Sequence, residues 1–154
     1  MKSIALLAAA ALPLCAAAQP MTFQRSGDIA WACGGVGSDE RRALDALRAD
    51  ASLEIVMVAG TRGEYVAGVQ LAIAPASGRS PETTLLADGP TCLLKAPPGR
   101  YRVEATYHGA SRSATASVTA KPGKPARVVL SFPADQSDDI RASDEEKRQA
   151  ASPD

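Results

Sequence analysis

The segment Ala96-Pro-Pro-Gly-Arg-Tyr-Arg-Val-Glu-Ala-Thr-Tyr-His-Gly109 constrains the fold more than any other part of this chain. Its proline pair and glycine set a tight turn, and the residues that follow alternate. Tyr101, Val103, Ala105 and Tyr107 fall on one face; Arg102, Glu104, Thr106 and His108 fall on the other. That period of two is the pattern of an antiparallel strand with one buried and one wet face.

Similar patterns recur from residue 53 onward. Strands are predicted over 53–59, 65–74 (Val69, Leu71 and Ile73 inward), 83–86, 91–95, 101–107, 111–120 and 127–132. Residues 61–64, 75–81, 88–90 and 121–124 read as turns or polar loops. Upstream, residues 29–33 form a short apolar stretch suited to an edge strand, closed by Gly34, Gly35 and Gly37. Ser38 is the expected N-cap of a helix over 38–50, with Asp39 and Glu40 in its first turn, where the helix dipole favours acids. Ala43, Leu44 and Leu47 share one face of that helix, and Arg41, Asp45 and Arg48 share the opposite one. The expected fold is mainly β, an antiparallel seven-stranded immunoglobulin- or transthyretin-like sandwich over 29–133 with one short helix on its N-terminal side.

The first residues predict export. Lys2, an apolar run over 4–14 and Ala16-Ala-Ala18 have the order of a secretory signal peptide over 1–18, cleaved after Ala18. The run is shorter than the ~20 residues that span a bilayer, and no later segment is hydrophobic enough to serve as a second anchor. Lipidation at Cys15 is the alternative, but Leu14 stands where that chemistry wants a small residue. The expected location is therefore periplasmic or secreted, with 19–28 as a flexible lead-in.

Export gives the cysteines meaning. Cys33 and Cys92 remain as an even pair in an oxidising compartment, and a disulfide is the expected state; two separately buried thiols are the alternative. Residues 134–154 hold seven acids against three bases and almost no large apolar side chain, so they read as a disordered acidic tail. Residues 19–133 carry thirteen bases and ten acids, scattered along the chain. So small an excess gives no footprint for nucleic acid.

On residues 93–103, Leu-Leu-Lys-Ala-Pro97-Pro98-Gly99-Arg-Tyr101-Arg-Val, the chain resembles carboxypeptidase regulatory-like domains, which are transthyretin-like sandwiches. The glycine-rich turn at 34–40 with its helix, Gly68-Val69 and Asp88-Gly-Pro90 look like a group of small exported bacterial proteins built on that domain. The resemblance spans roughly residues 31–132 and implies a fold more than a task. Two enzymatic relatives do not transfer. The chain has no His-x-x-Glu with a distant histidine, as zinc carboxypeptidases require, and its single histidine and its Ala-Ser-Pro-Asp end depart from transthyretin-like hydroxyisourate hydrolases.

Other motifs are weak as chemistry. Residues 34–38 at a helix start offer backbone N–H groups to an anion, yet Asp39 and Glu40 already supply negative charge there. His108 has no ligand partners at metal spacing, and the serines of 111–117 need a base held at hydrogen-bond distance, for which the chain offers a single histidine. Trp31, Tyr65, Tyr101 and Tyr107 form either an aromatic binding platform or core filling; the second is preferred for Trp31, Tyr101 and Tyr107, with Tyr65 simply opening a strand. No catalytic residue, metal site or cofactor is expected. The expected task is a non-enzymatic binding or accessory role, engaging another envelope protein through an exposed sheet edge or the loops at one end. A carbohydrate or small-molecule pocket at a loop end is the alternative, and it requires exposed aromatics beside polar groups.

Overall fold

The computed structural model describes residues 20–78, 81–119 and 123–134. The expected signal peptide, and the acidic tail beyond residue 134, lie outside the described residues. The chain is mainly β, with strands β1 (Gln24–Ser26), β2 (Ile29–Gly34), β3 (Leu53–Ala59), β4 (Glu64–Tyr65), β5 (Val69–Pro75), β6 (Thr83–Ala87), β7 (Thr91–Lys95), β8 (Gly99–Tyr107), β9 (Ala110–Val118) and β10 (Ala126–Phe132). One helix, α1 (Ser38–Leu47), runs into a 3-10 turn at Arg48–Asp50.

The strands form two sheets. One has the order β1-β2-β7-β3-β10, with β4 also paired to β3; the other is β6-β5-β8-β9. The second sheet is antiparallel throughout, whereas the first is mixed, because β10 runs parallel to β3 from Ala126 beside Leu53 to Phe132 beside Ala59. Alternation drives the layering. Leu53, Ile55 and Met57 from the first sheet meet Val69, Leu71, Ile73, Val103 and Ala105 from the second in one buried cluster, and burying such side chains is the main favourable term in folding.

The expectation of seven antiparallel strands is thus corrected to ten strands among the described residues, in a mixed and an antiparallel sheet. The stretch 65–74 was expected to be one strand. It divides because Gly68, at φ +76°, turns the chain out of the first sheet after β4 and into the second as β5. The lead-in at 19–28 also contains structure: β1 pairs with β2, Met21 and Phe23 pack against a second cluster of Ala32, Leu44, Ala51 and Leu93, and the Lys95 ammonium lies 4.5 Å from the centre of the Phe23 ring.

The helical span 38–50 is as expected, with its last three residues as the 3-10 turn, but its cap differs. Gly37 occupies the N-cap and Ser38 is already helical, with no side-chain hydrogen bond capping the end. Instead Glu40 Oε2 accepts hydrogen bonds from the backbone N–H groups of Gly35 (3.0 Å) and Val36 (3.1 Å). The glycine turn does hold an anion, and the anion is the chain's own. Leu44, fully buried, and Leu47 lay the helix on the outer face of the first sheet.

Cys33 and Cys92 are directly opposed on β2 and β7 and are joined by a disulfide with a 2.02 Å S–S bond. Cys92 belongs to the central core and Cys33 packs against it. The bridge therefore joins neighbouring strands of one sheet.

Pro97, Pro98 and Gly99 lead into β8, where Tyr101 is buried and its hydroxyl donates to the Pro97 carbonyl at 2.9 Å. Burial, and then the nearby Asp28 carboxylate, raise this phenol above its ordinary value. A raised folded-state pKa contributes stability that is complete below the unfolded value of about 10 and is lost as pH rises through the folded value. Urea unfolding followed across the alkaline range is expected to show that loss in the native protein and a flatter profile in Tyr101→Phe. An unchanged slope in the variant contradicts this assignment.

Candidate functional site

The outer face of the first sheet is only partly covered by the helix, and a cleft remains between the helix and β4. Strand alternation places Glu54, Val56 and Val58 of β3 on this face, since Leu53, Ile55 and Met57 point into the core. Tyr65 lies directly opposite Val58, and Arg127 opposite Glu54. From above, the helical spacing of Arg41, Asp45 and Arg48 turns the polar side of α1 and its 3-10 extension toward the same space. The cleft encloses about 230 Å³, with Leu44 and Val56 among its lining, Tyr65 at one wall and Arg41, Arg48 and Arg127 around it.

Its electrostatics centre on Glu54. The Glu54 side chain is 10% exposed and sits 2.6 Å from the Arg48 guanidinium and 3.9 Å from that of Arg127. A charge this buried needs such partners. Contact with Glu54 is in turn the largest of the influences that hold the Arg48 guanidinium above its ordinary value, reinforced by Asp45, to which Arg48 also donates at 3.2 Å. Arg41 is fixed by donating to the carbonyls of Val36 (3.1 Å) and Gly35 (3.5 Å). Arg127 is different. Its side chain is 59% exposed and lines the cleft, its contact with Glu54 is made through Nε, and its terminal nitrogens have no hydrogen-bond partner among the described residues.

Three guanidiniums against two carboxylates leave the cleft with a net positive charge, and Tyr65, 69% exposed, offers an aromatic surface beside them. The lining is suited to holding an anion by forked hydrogen bonds.

Two further concavities are lined by described residues. One, of about 380 Å³, lies at a loop end beside Asp28, Glu82 and Tyr101. The other, of about 430 Å³, opens along the flank between β2 and β6, where Met21, Trp31, Cys33 and Leu86 face it. That flank is open because β6 has a hydrogen-bonded neighbour on one side only, and β1 likewise. The opposite flank is bridged: Arg112 on β9 donates to the Ser131 carbonyl on β10 at 2.8 Å.

The residues singled out from sequence are distributed over these regions. Cys33 lines the flank and Gly35 the cleft, while Gly37 and Ser38 begin the helix above it. Pro97 and Tyr101 line the loop end. Tyr101 is buried, Trp31 and Tyr107 are half-buried against the core, and Tyr65 is exposed on its short strand. His108 is exposed in the β8–β9 turn with its ring beside Tyr107. Glu54 and Arg127 were not singled out. Their signal is a lone carboxylate in the otherwise apolar run Leu53-Glu-Ile-Val-Met-Val-Ala59. Among the described residues, no three His, Cys, Asp or Glu side chains are grouped so as to hold a metal ion, and no helix is long and apolar enough to cross a membrane.

No protein-family model matches the chain, and no curated protein matches it.

Proposed function

We propose that this chain is an exported, non-enzymatic binding or accessory module that engages another protein of the cell envelope. The observation that carries the reading is the open edge of β6, whose outward Leu86 is 68% exposed next to Trp31 and Met21. An unpaired strand edge with an apolar flank suits an extended segment of a partner, which adds as a further strand through main-chain hydrogen bonds while Leu86 and Trp31 receive its side chains. The disulfide fits folding in an oxidising compartment. The resemblance to carboxypeptidase regulatory-like, transthyretin-like sandwiches is part of this reading. It is supported by the Pro97-Pro98-Gly99 turn into β8 and by two sheets sharing one core.

A photo-reactive residue at position 86 is expected to capture an envelope protein in intact cells, and one at position 102, on the exposed face of β8, is not. The comparison is repeated without residues 134–154 to separate any recruitment by the acidic tail. Equal capture from both positions, or none from 86, overturns the edge as the docking surface.

A second reading, small-ligand binding in a pocket, is favoured by a different observation. The exposed aromatic beside polar groups that such a reading requires is Tyr65, among Arg41, Arg48 and Arg127. It lies in the outer-face cleft and not at a loop end.

A further inference from the structure

We infer that the outer-face cleft is a carboxylate-binding site, taking a small monocarboxylate with an apolar or aromatic body through Arg127 and Tyr65. The inference rests on the second reading above and names the ligand class.

Among the three arginines, only Arg127 has a fork to spare. Arg48 is spent on Glu54 and Asp45, and Arg41 is turned back onto the carbonyls of its own glycine turn. Arg127 lies 3.9 Å from Glu54 through Nε and lines the cleft, and its two terminal nitrogens make no hydrogen bond among the described residues. Two parallel N–H donors on a planar group match the two oxygens of a carboxylate.

The neighbours then select among anions. Glu54 lies beside Arg127 and Asp45 also lines the cleft, so the net excess is about one positive charge, which balances a monoanion and leaves the second charge of a dianion such as phosphate uncompensated beside two carboxylates. Val56 and Leu44 present apolar surface and Tyr65 an open ring face, so the part of the ligand that follows the carboxylate is apolar. Size limits it further. A volume of about 230 Å³ is below the roughly 300–1,000 Å³ of pockets for drug-sized ligands, and it fits a small organic acid or the last residue of a peptide. These are two sources of one chemistry, a terminal carboxylate on an apolar body.

The test is a titration of the oxidised protein, isotopically labelled, with phenylacetate, N-acetylphenylalanine, its C-terminal amide, a short peptide ending in free phenylalanine, a neutral disaccharide and inorganic phosphate. The expected result is saturable shifts of the Tyr65 and Arg127 signals by the free acids, with a Kd on the order of 1 mM or tighter. The amide and phosphate are expected to bind at least about tenfold more weakly. Tighter binding of the peptide acid than of phenylacetate assigns the source to a chain terminus, and the reverse assigns it to a free metabolite. Arg127→Gln is expected to weaken the acids about tenfold, Arg127→Lys to restore only part of the loss because a single ammonium lacks the fork, and Tyr65→Ala to weaken them independently. Both sites are exposed, so unchanged circular dichroism and urea midpoints separate lost binding from lost folding. Binding of the disaccharide or the amide at the cleft equal to that of the acids overturns the carboxylate assignment and leaves the small-ligand reading standing. No saturable shift at the cleft with any probe overturns both, as does equal response to phosphate, which marks mere screening of surface charge.

Discussion

Replacing Gly89 by alanine is expected to cost about 3 kcal/mol or more, or to abolish folding, although the change is one methyl group. Gly89 stands in the turn that carries the chain from β6 in one sheet to β7 in the other. A Cβ at this position overlaps the backbone of Gly34, which has no rotamer to move away. The turn has little freedom to retreat. Its near end is pinned by the Gly68 N–H donating to the Ala87 carbonyl at 2.7 Å, and its far end by the Met57 N–H donating to the Pro90 carbonyl at 2.9 Å. Relief of the overlap therefore requires breaking one of these bonds or lifting the 34–37 turn, and with it the start of the helix. Gly37→Ala is the control. Nothing lies near its would-be Cβ and its backbone is ordinary for any residue, so it is expected to cost no more than about 1 kcal/mol as a poorer N-cap. Urea midpoints of the two variants give the comparison, and equal midpoints contradict the close approach of Gly89 to Gly34.

The second large effect is expected from removing the disulfide. Cys33 and Cys92 are 59 positions apart, and closing a loop of that size restricts the unfolded chain by up to about 4 kcal/mol in the chain-entropy model. In a domain of this size the double variant Cys33→Ala/Cys92→Ala is expected to melt on the order of 10–20 °C lower. The native strands β2 and β7 stay hydrogen-bonded to each other without the bridge, from Ala30 beside Lys95 to Gly34 beside Thr91. The folded state should therefore keep its β content while its stability falls. A variant with an unchanged melting temperature contradicts the account, because the bond then adds nothing that strand pairing does not already supply.

Much of the layering is legible in the sequence because it is written locally. Tyr101, Val103 and Ala105 alternate with charged neighbours, and each of them is buried as the pattern predicts. The phase of 91–95 puts Cys92 in the core, where it meets Cys33. What escapes local reading is pairing over distance. The run 126–132 has the alternation of any half-buried strand, and nothing in it distinguishes a parallel partner from an antiparallel one. That choice decides that Arg127 falls beside Glu54. The helix cap escapes for a related reason. Ser38 has the chemistry of an N-cap, but Glu40 reaches back to the N–H groups of Gly35 and Val36 and satisfies the turn ahead of it, so the helix begins one residue after a glycine.

The polar face of the helix was legible as Arg41, Asp45 and Arg48. Its role depends on what lies beneath it, a carboxylate in the middle of an apolar strand. Glu54 would be expelled from that position without Arg48, because an unpaired buried charge costs more than the strand gains by hiding its neighbours.

The central claim is that β10 returns alongside β3 in the same direction and delivers Arg127 to the cleft. Interstrand nuclear Overhauser contacts in the oxidised protein test it directly. The account predicts contacts that advance together, Arg127 with Glu54, Val129 with Val56 and Ser131 with Val58; contacts that advance on one strand while receding on the other would contradict it.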